Sequence, residues 1–326
     1  MNLKHKLTYL AALVALSLPL PPAISCSDEG AQFHSSIWSS KERVVVPFEF
    51  INNQIVVRLS LNGMPGNFIV DTGTDHTALD RRAADAAHMK DAAHLTIVPN
   101  TGNANSLGKS CAIVVAARGV EIKFGKVELI RGITPVSDFS QFEKGFGFTL
   151  SGIIGFDYIR QFPMLFDYRA KTITIFGDKR VQYRGPGTSI PLVDTNPPVV
   201  AAKMELPDGS QAEAKLIVDT GYYGGLDLHG PFVQKHVAVQ ATQNTARSDP
   251  APGIRGGCGD DIEQMRGEVS AIQLGTARFP GPETQYAKSP IGVSASSETD
   301  GQLGSAFLSQ FRIFFDAPRN LIVLDR

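Results

Sequence analysis

The pentapeptide Ile-Val-Asp-Thr-Gly occurs twice, at residues 69–73 and again at 217–221. Each copy carries an apolar run onto a carboxylate, a costly arrangement unless the charge is shared or hydrogen bonded. The surroundings repeat as well. Residues 151–176 align with 300–325 at a constant offset, so that Gly152 meets Gly301, Gly155 meets Gly304, Phe162 meets Phe311, Phe166 meets Phe315 and Asp167 meets Asp316. Each of these stretches reads as a short helix, a strand, a turn and a final strand. The turns open on Asp167 and Asp316, where an aspartate side chain can bond the backbone. Upstream, 46–73 and 190–221 share one order: an apolar residue and proline, an alternating strand, a glycine-bearing turn, and a second strand that ends on the aspartate. The turns "NGMPGN" and "PDGSQA" read as hairpin connections.

These repeats predict two similar lobes in a mostly β chain. A length of 326 residues fits two domains. The expected division is 1–25 signal peptide, 26–45 tether, 46–178 N-terminal lobe, 179–187 linker and 188–326 C-terminal lobe. Acidic and basic residues balance at 32 against 31 and are mixed along the chain, and no basic block interleaves with aromatics. Nucleic acid is therefore excluded as a partner. At the start, Lys4 and Lys6 precede the apolar run Leu7 to Leu20 and the small residues of "AISC" at 23–26. That order matches a secretory signal, too short to span a bilayer as a stable helix. "AISC" also resembles a bacterial lipobox, which makes Cys26 a candidate for lipidation. Plain cleavage after Ser25 is the other reading. Export to the periplasm or lipid anchoring at the cell envelope is expected either way, with membrane contact only through that lipid.

Two carboxylates brought close across paired lobes cannot both ionise cheaply, so one proton is shared between them. The ionised member can take a proton from water, and the protonated member can give one to a carbonyl oxygen. Gly73 and Gly221 let the backbone bend sharply beside the carboxylates, and Thr72 and Thr220 offer hydroxyls that can lock one loop to the other.

On these residues the chain resembles the aspartic proteases of the retropepsin and pepsin superfamily, in a fused two-lobed form found in bacteria. The resemblance covers nearly all of 46–326. It implies two pepsin-like or retropepsin-like β-barrel lobes with short helices, related by a pseudo-twofold axis, and an aspartic endopeptidase that acts on peptide or protein substrates as a monomer, with no cofactor and no metal. The family's catalytic aspartates map to Asp71 and Asp219, and its cross-bracing threonines to Thr72 and Thr220. Thr74, the hydroxyl residue after the first glycine, would support the outer oxygen of Asp71. Tyr222 holds that place in the second copy and is too long to do so. The glycine-bearing strand beneath each loop maps to Ile153, Ile154 and Gly155, and to Leu303 and Gly304. Gln302 departs from the pattern by standing in an apolar slot. The family's Gly-rich flap maps to 99–110 and to 251–261. Cys111 and Cys258 fall at near-equivalent places, as a disulfide between flaps or as two free thiols.

Two rival classes remain. Actin-like ATPases and sugar kinases use a similar Asp-x-Gly-Thr hairpin, but a secretory signal and the lack of long helical segments argue against them. The other rival is an inactive envelope protein that binds peptides or other ligands on the same fold. The seven histidines show no HExxH spacing and no cluster with cysteine.

Overall fold

The computed structural model describes residues 34–36, 42–89, 91–95, 114–143, 147–240, 264–288, 290 and 292–326. The signal segment, Cys26, Cys111, Cys258 and both expected flaps lie outside the described residues. Within them the chain is mostly β, as its sequence predicts, and its longest helices, Arg81–Ala86 and Gly230–Lys235, have 6 residues each.

The N-terminal half opens with an antiparallel meander of Arg43–Ile51, Gln54–Leu61 and Met64–Val70. Its two turns are built on residues that accept positive φ: Asn52 at 50° and Asn53 at 59°, then Asn62 at 46° and Gly63 at 86°. Left-handed values at both central positions match the right-handed twist of the flanking strands, which is why asparagine and glycine occupy these turns. Strand Met64–Val70 then lies parallel to Gly152–Ile154, with Phe68 opposite Gly152 and Val70 opposite Ile154. Ala78–Asp80 flanks that short strand on its other side, antiparallel. The loop 71–77 is thus suspended between two strands that share a neighbour.

The C-terminal half makes the same connections. Pro198–Glu205 and Gln211–Val218 pair as a hairpin. Gln211–Val218 lies parallel to Gly301–Leu303, with Val218 opposite Leu303. Leu226–Leu228 runs antiparallel to Gly301–Leu303.

A further sheet joins the halves. Its order is the start of Arg43–Ile51, then Thr172–Phe176, Met164–Asp167, Arg312–Asp316, Leu321–Asp325 and the start of Thr188–Thr195. The repeated proline marks the place where each outer strand changes sheet. Residues up to Pro47 pair with Thr172–Phe176, and from Phe48 onward the strand pairs with Gln54–Leu61. Likewise the strand pairs with Leu321–Asp325 up to Pro191, and from Leu192 with Pro198–Glu205. Proline cannot donate to a ladder and suits such a junction. Phe166 and Phe315 pack edge to face in this sheet at 5.1 Å, and Phe315 meets Phe156 at 6.0 Å. All three are fully buried.

The tether is shorter than the sequence suggested. The first strand of the meander begins at Arg43, ahead of Val46, because Val44 already packs against the core. His34–Ser36 also pairs with Glu128–Ile130 as an edge strand, inside the segment expected to be a free tether. Of the two turn aspartates, Asp167 behaves as expected and accepts from the Ala170 N–H at 2.8 Å. Asp316 differs: its carboxylate pairs with Arg319 at 2.9 Å, because a basic residue one turn along outcompetes the backbone.

Candidate active site

Each Asp-Thr-Gly loop leaves the end of its buried strand with the aspartate still tied to the strand below. The Asp71 N–H donates to the Ile154 carbonyl at 2.9 Å, and the Asp219 N–H donates to Leu303 at 2.9 Å. The loops are then stitched to each other by their threonines. The Thr72 hydroxyl donates to the Val218 carbonyl at 2.5 Å and accepts from the Thr220 N–H at 3.0 Å. The Thr220 hydroxyl donates to the Val70 carbonyl at 2.8 Å and accepts from the Thr72 N–H at 3.1 Å. Both threonines are fully buried. Six polar groups, two hydroxyls, two N–H groups and two carbonyls, are therefore satisfied by four bonds at this depth, and the loops are locked in a single relative position.

That position brings Asp71 and Asp219 together across the two loops, each carboxyl lying against the glycine of the other loop. The glycines are required by this closeness: a Cβ on Gly73 would collide with the carboxyl of Asp219, and one on Gly221 with the carboxyl of Asp71. Each glycine N–H also turns back on its own aspartate, from Gly73 to Asp71 Oδ1 at 2.8 Å and from Gly221 to Asp219 Oδ1 at 2.8 Å.

The pair is not electrically even. Burial pushes both carboxyls above the usual range. For Asp71 the bond from Asp219 works against that rise, as do the N–H groups of Gly73 and Thr74. For Asp219 the neighbouring charge of Asp71 adds to burial and drives it well above the ordinary carboxylate value. One proton is therefore shared by the pair, and its titration belongs to both carboxyls together.

The strands beneath fit closely. A Cβ on Gly155 would press on the backbone of His76 and Thr77, and one on Gly304 would strike the Gly224 carbonyl and the Tyr222 ring. Ile153 and Ile154 pair with the end of the first loop's strand and Leu303 with the end of the second's, with Gly155 and Gly304 next in line. Equivalent backbone bonds hold the far side of each loop. Phe156 N–H donates to the Thr74 carbonyl at 2.8 Å, and Ser305 N–H donates to Tyr222 at 2.7 Å.

One expected role is corrected. The Thr74 hydroxyl does not turn to Asp71; it donates to the His76 carbonyl at 3.5 Å, and the backbone N–H of Thr74 supports Asp71 instead. In the second loop Tyr222 also serves through its backbone, whose N–H donates to Asp219 Oδ1 at 3.0 Å. Its phenol is turned away and accepts from the Gln285 amide.

Gln302, the residue out of pattern, is explained by its neighbours. Asp227 stands opposite Gln302 on one side and Gln285 on the other. The three form a polar row across neighbouring strands, in which Asp227 and Gln302 are buried and Gln285 is half-buried. Burial alone raises Asp227 to about 7, and its Oδ1 has no hydrogen-bond partner.

Several supports were not anticipated. Asp157 accepts from the Thr77 N–H at 3.0 Å and hydroxyl at 2.8 Å, and that hydroxyl accepts from Gly155 N–H at 2.9 Å. Ser305 donates to the Thr220 carbonyl at 3.0 Å. Gln54 and Asn53 reach across from the N-terminal half to the Gly221 and Tyr223 carbonyls. Asp157 carried a signal, as a polar residue within the apolar stretch after "IIG". Gln54 carried none, because after Asn52-Asn53 it reads as part of a polar turn.

Residues 57–157 match the family model described as aspartyl protease. No curated protein matches the chain. The matched segment contains the first Asp-Thr-Gly loop and the strand beneath it, and over that segment the chain is similar to the retropepsin-like aspartic proteases.

Proposed function

We propose that the protein is an aspartic endopeptidase whose reacting groups are Asp71 and Asp219. The observation that carries this reading is the pair itself: a half-buried Asp71 and a buried Asp219, brought together by reciprocal threonines, with both carboxyls pushed above the ordinary range. Ionised Asp71 takes a proton from a water held between the carboxyls, and the oxygen attacks the peptide carbonyl. Asp219 gives its proton to the carbonyl oxygen as the tetrahedral species forms. Proton return to the amine then releases the two products, with no covalent enzyme intermediate and no metal required. The two halves act as one catalytic unit within a single chain. Export is part of the proposal and rests on the segment Lys4 to Cys26. Lipidation of Cys26 would anchor the enzyme at the envelope.

Cleavage of a peptide library by the wild type and by Asp71→Asn and Asp219→Asn tests the assignment. Each variant should lose at least about 10³-fold in kcat/KM, the scale expected when an acid or base is removed. Equal cleavage by all three proteins would sink it. A wild type that binds peptides without cutting them, with binding unchanged in both variants, would favour a ligand-binding protein on the same fold.

A further inference from the structure

We propose that Gln54 is a positioning residue that reaches across from the N-terminal half to orient the Gly221–Tyr222 peptide and, through it, the carboxyl of Asp219. The proposal rests on the reading of Asp71 and Asp219 as the reacting pair.

Gln54 is the first residue of strand Gln54–Leu61 and follows the left-handed turn at Asn52 and Asn53. Its relative exposure is 0%, which is unusual for a glutamine. Its Nε2 donates to the Gly221 carbonyl. Beside it, the Asn53 amide donates to the Tyr223 carbonyl at 3.1 Å. The turn thus grips the second loop at two carbonyls that flank Tyr222.

The peptide joining Gly221 to Tyr222 is planar, so fixing its carbonyl fixes its N–H on the opposite edge. That N–H is the one that donates to Asp219 Oδ1 at 3.0 Å. The amide of Gln54, the peptide and the carboxyl form one relay of hydrogen bonds, each polarising the next. With the Gly221 N–H also on Oδ1 at 2.8 Å, that oxygen is committed as an acceptor. Oδ2 is left to carry the proton. In this way Gln54 sets which oxygen of Asp219 is the acid.

Two further observations support a role beyond packing. The Gln54 Oε1 is buried without a hydrogen-bond partner, so the side chain is kept at a desolvation cost that a methionine would avoid. The corresponding turn of the C-terminal half also behaves differently. There Asn196 Oδ1 accepts from Arg160 at 3.5 Å, and the strand that follows begins on Pro198, which has no side-chain donor. Among the described residues the grip is therefore one-sided, and it falls on the loop that carries Asp219.

The test uses the full chain with Gln54→Met, which keeps volume and removes the donor, and Gln54→Asn, which keeps the amide but shortens its reach. The carboxyl carbons of the pair are followed by NMR in aspartate-labelled protein, with Asp219→Asn to assign the resonances. In both variants the upper titration step should move up by about one pH unit, because the N–H that favours ionised Asp219 is weakened. The alkaline limb of kcat should move with it, and kcat should fall about tenfold with KM changed by less than about twofold. If Gln54→Met does not fold, Gln54→Asn decides. Folded variants whose pair titrates as in the wild type would overturn the proposal, even if they were less stable. A shifted step in a protein that cleaves no peptide would support Gln54 as a positioning residue and overturn the protease reading instead.

Discussion

Asp71 and Asp219 share one sequence context and differ in what surrounds them. Burial raises both, and Asp219 is raised further by the charge of Asp71. Cleavage should rise as Asp71 loses its proton and fall as Asp219 loses its own, and the two limbs belong to the pair. Because both groups sit above their ordinary value of 3.8, both limbs of kcat/KM against pH should lie above that value. An acidic limb at or below it would contradict the burial argument. Asp227 offers a separate test of stability. Its pKa is raised by burial to about 7 in the fold. Its contribution is fully present below the unfolded value near 3.8 and is lost as pH rises through about 7. The loss amounts to at most about 4 kcal/mol. Thermal unfolding at pH 5 and pH 8 should show a drop in wild-type Tm that is smaller in Asp227→Asn. An equal drop in both would mean that Asp227 ionises in the fold without cost.

The loops work as one element. Removing the Thr220 hydroxyl leaves the Val70 carbonyl and the Thr72 N–H without partners in a buried place. Thr220→Val should therefore cost about 2–4 kcal/mol in urea denaturation, since each unpaired buried group costs about 1–3. A change below about 0.5 kcal/mol would show that the brace can relax. Much of this element was legible beforehand. Asp-Thr-Gly at a strand end named the aspartates and threonines, and "IIG" and the Leu-Gly at 303–304 named the strand beneath. The partner of the Thr74 hydroxyl was not legible, because the His76 carbonyl comes within its reach only through the bend at 75–76. Gln302 read as a defect in an apolar slot, because its partner Asp227 stands on another strand.

The whole molecule depends on the sheet that joins its halves. Met164–Asp167 and Arg312–Asp316 come from matched stretches of sequence and pair directly, with Leu165 opposite Phe314. Phe166 lies in that sheet with no exposure and packs on Phe315. Phe166→Ala should lower stability by about 3–5 kcal/mol in chemical denaturation. The loss should reach both halves, so hydrogen exchange should speed up in Gln54–Leu61 and in Pro198–Glu205. Exchange confined to one half would show that the halves open independently.

The sequence alone determined which residues stand at the ends of the buried strands. Alternation, turn residues and a repeated motif are local properties, and they fixed two Asp-Thr-Gly loops, two supporting strands and a mostly β chain. The tertiary structure decided how those loops differ. Asp219 feels the charge of Asp71 on top of its own burial, the polar row of Gln285, Asp227 and Gln302 lies beside one loop only, and Gln54 grips one loop from the opposite half. Each of these depends on burial and on contacts between residues far apart in the chain. Charge in a buried site responds to distance in space, which a repeated pentapeptide does not record.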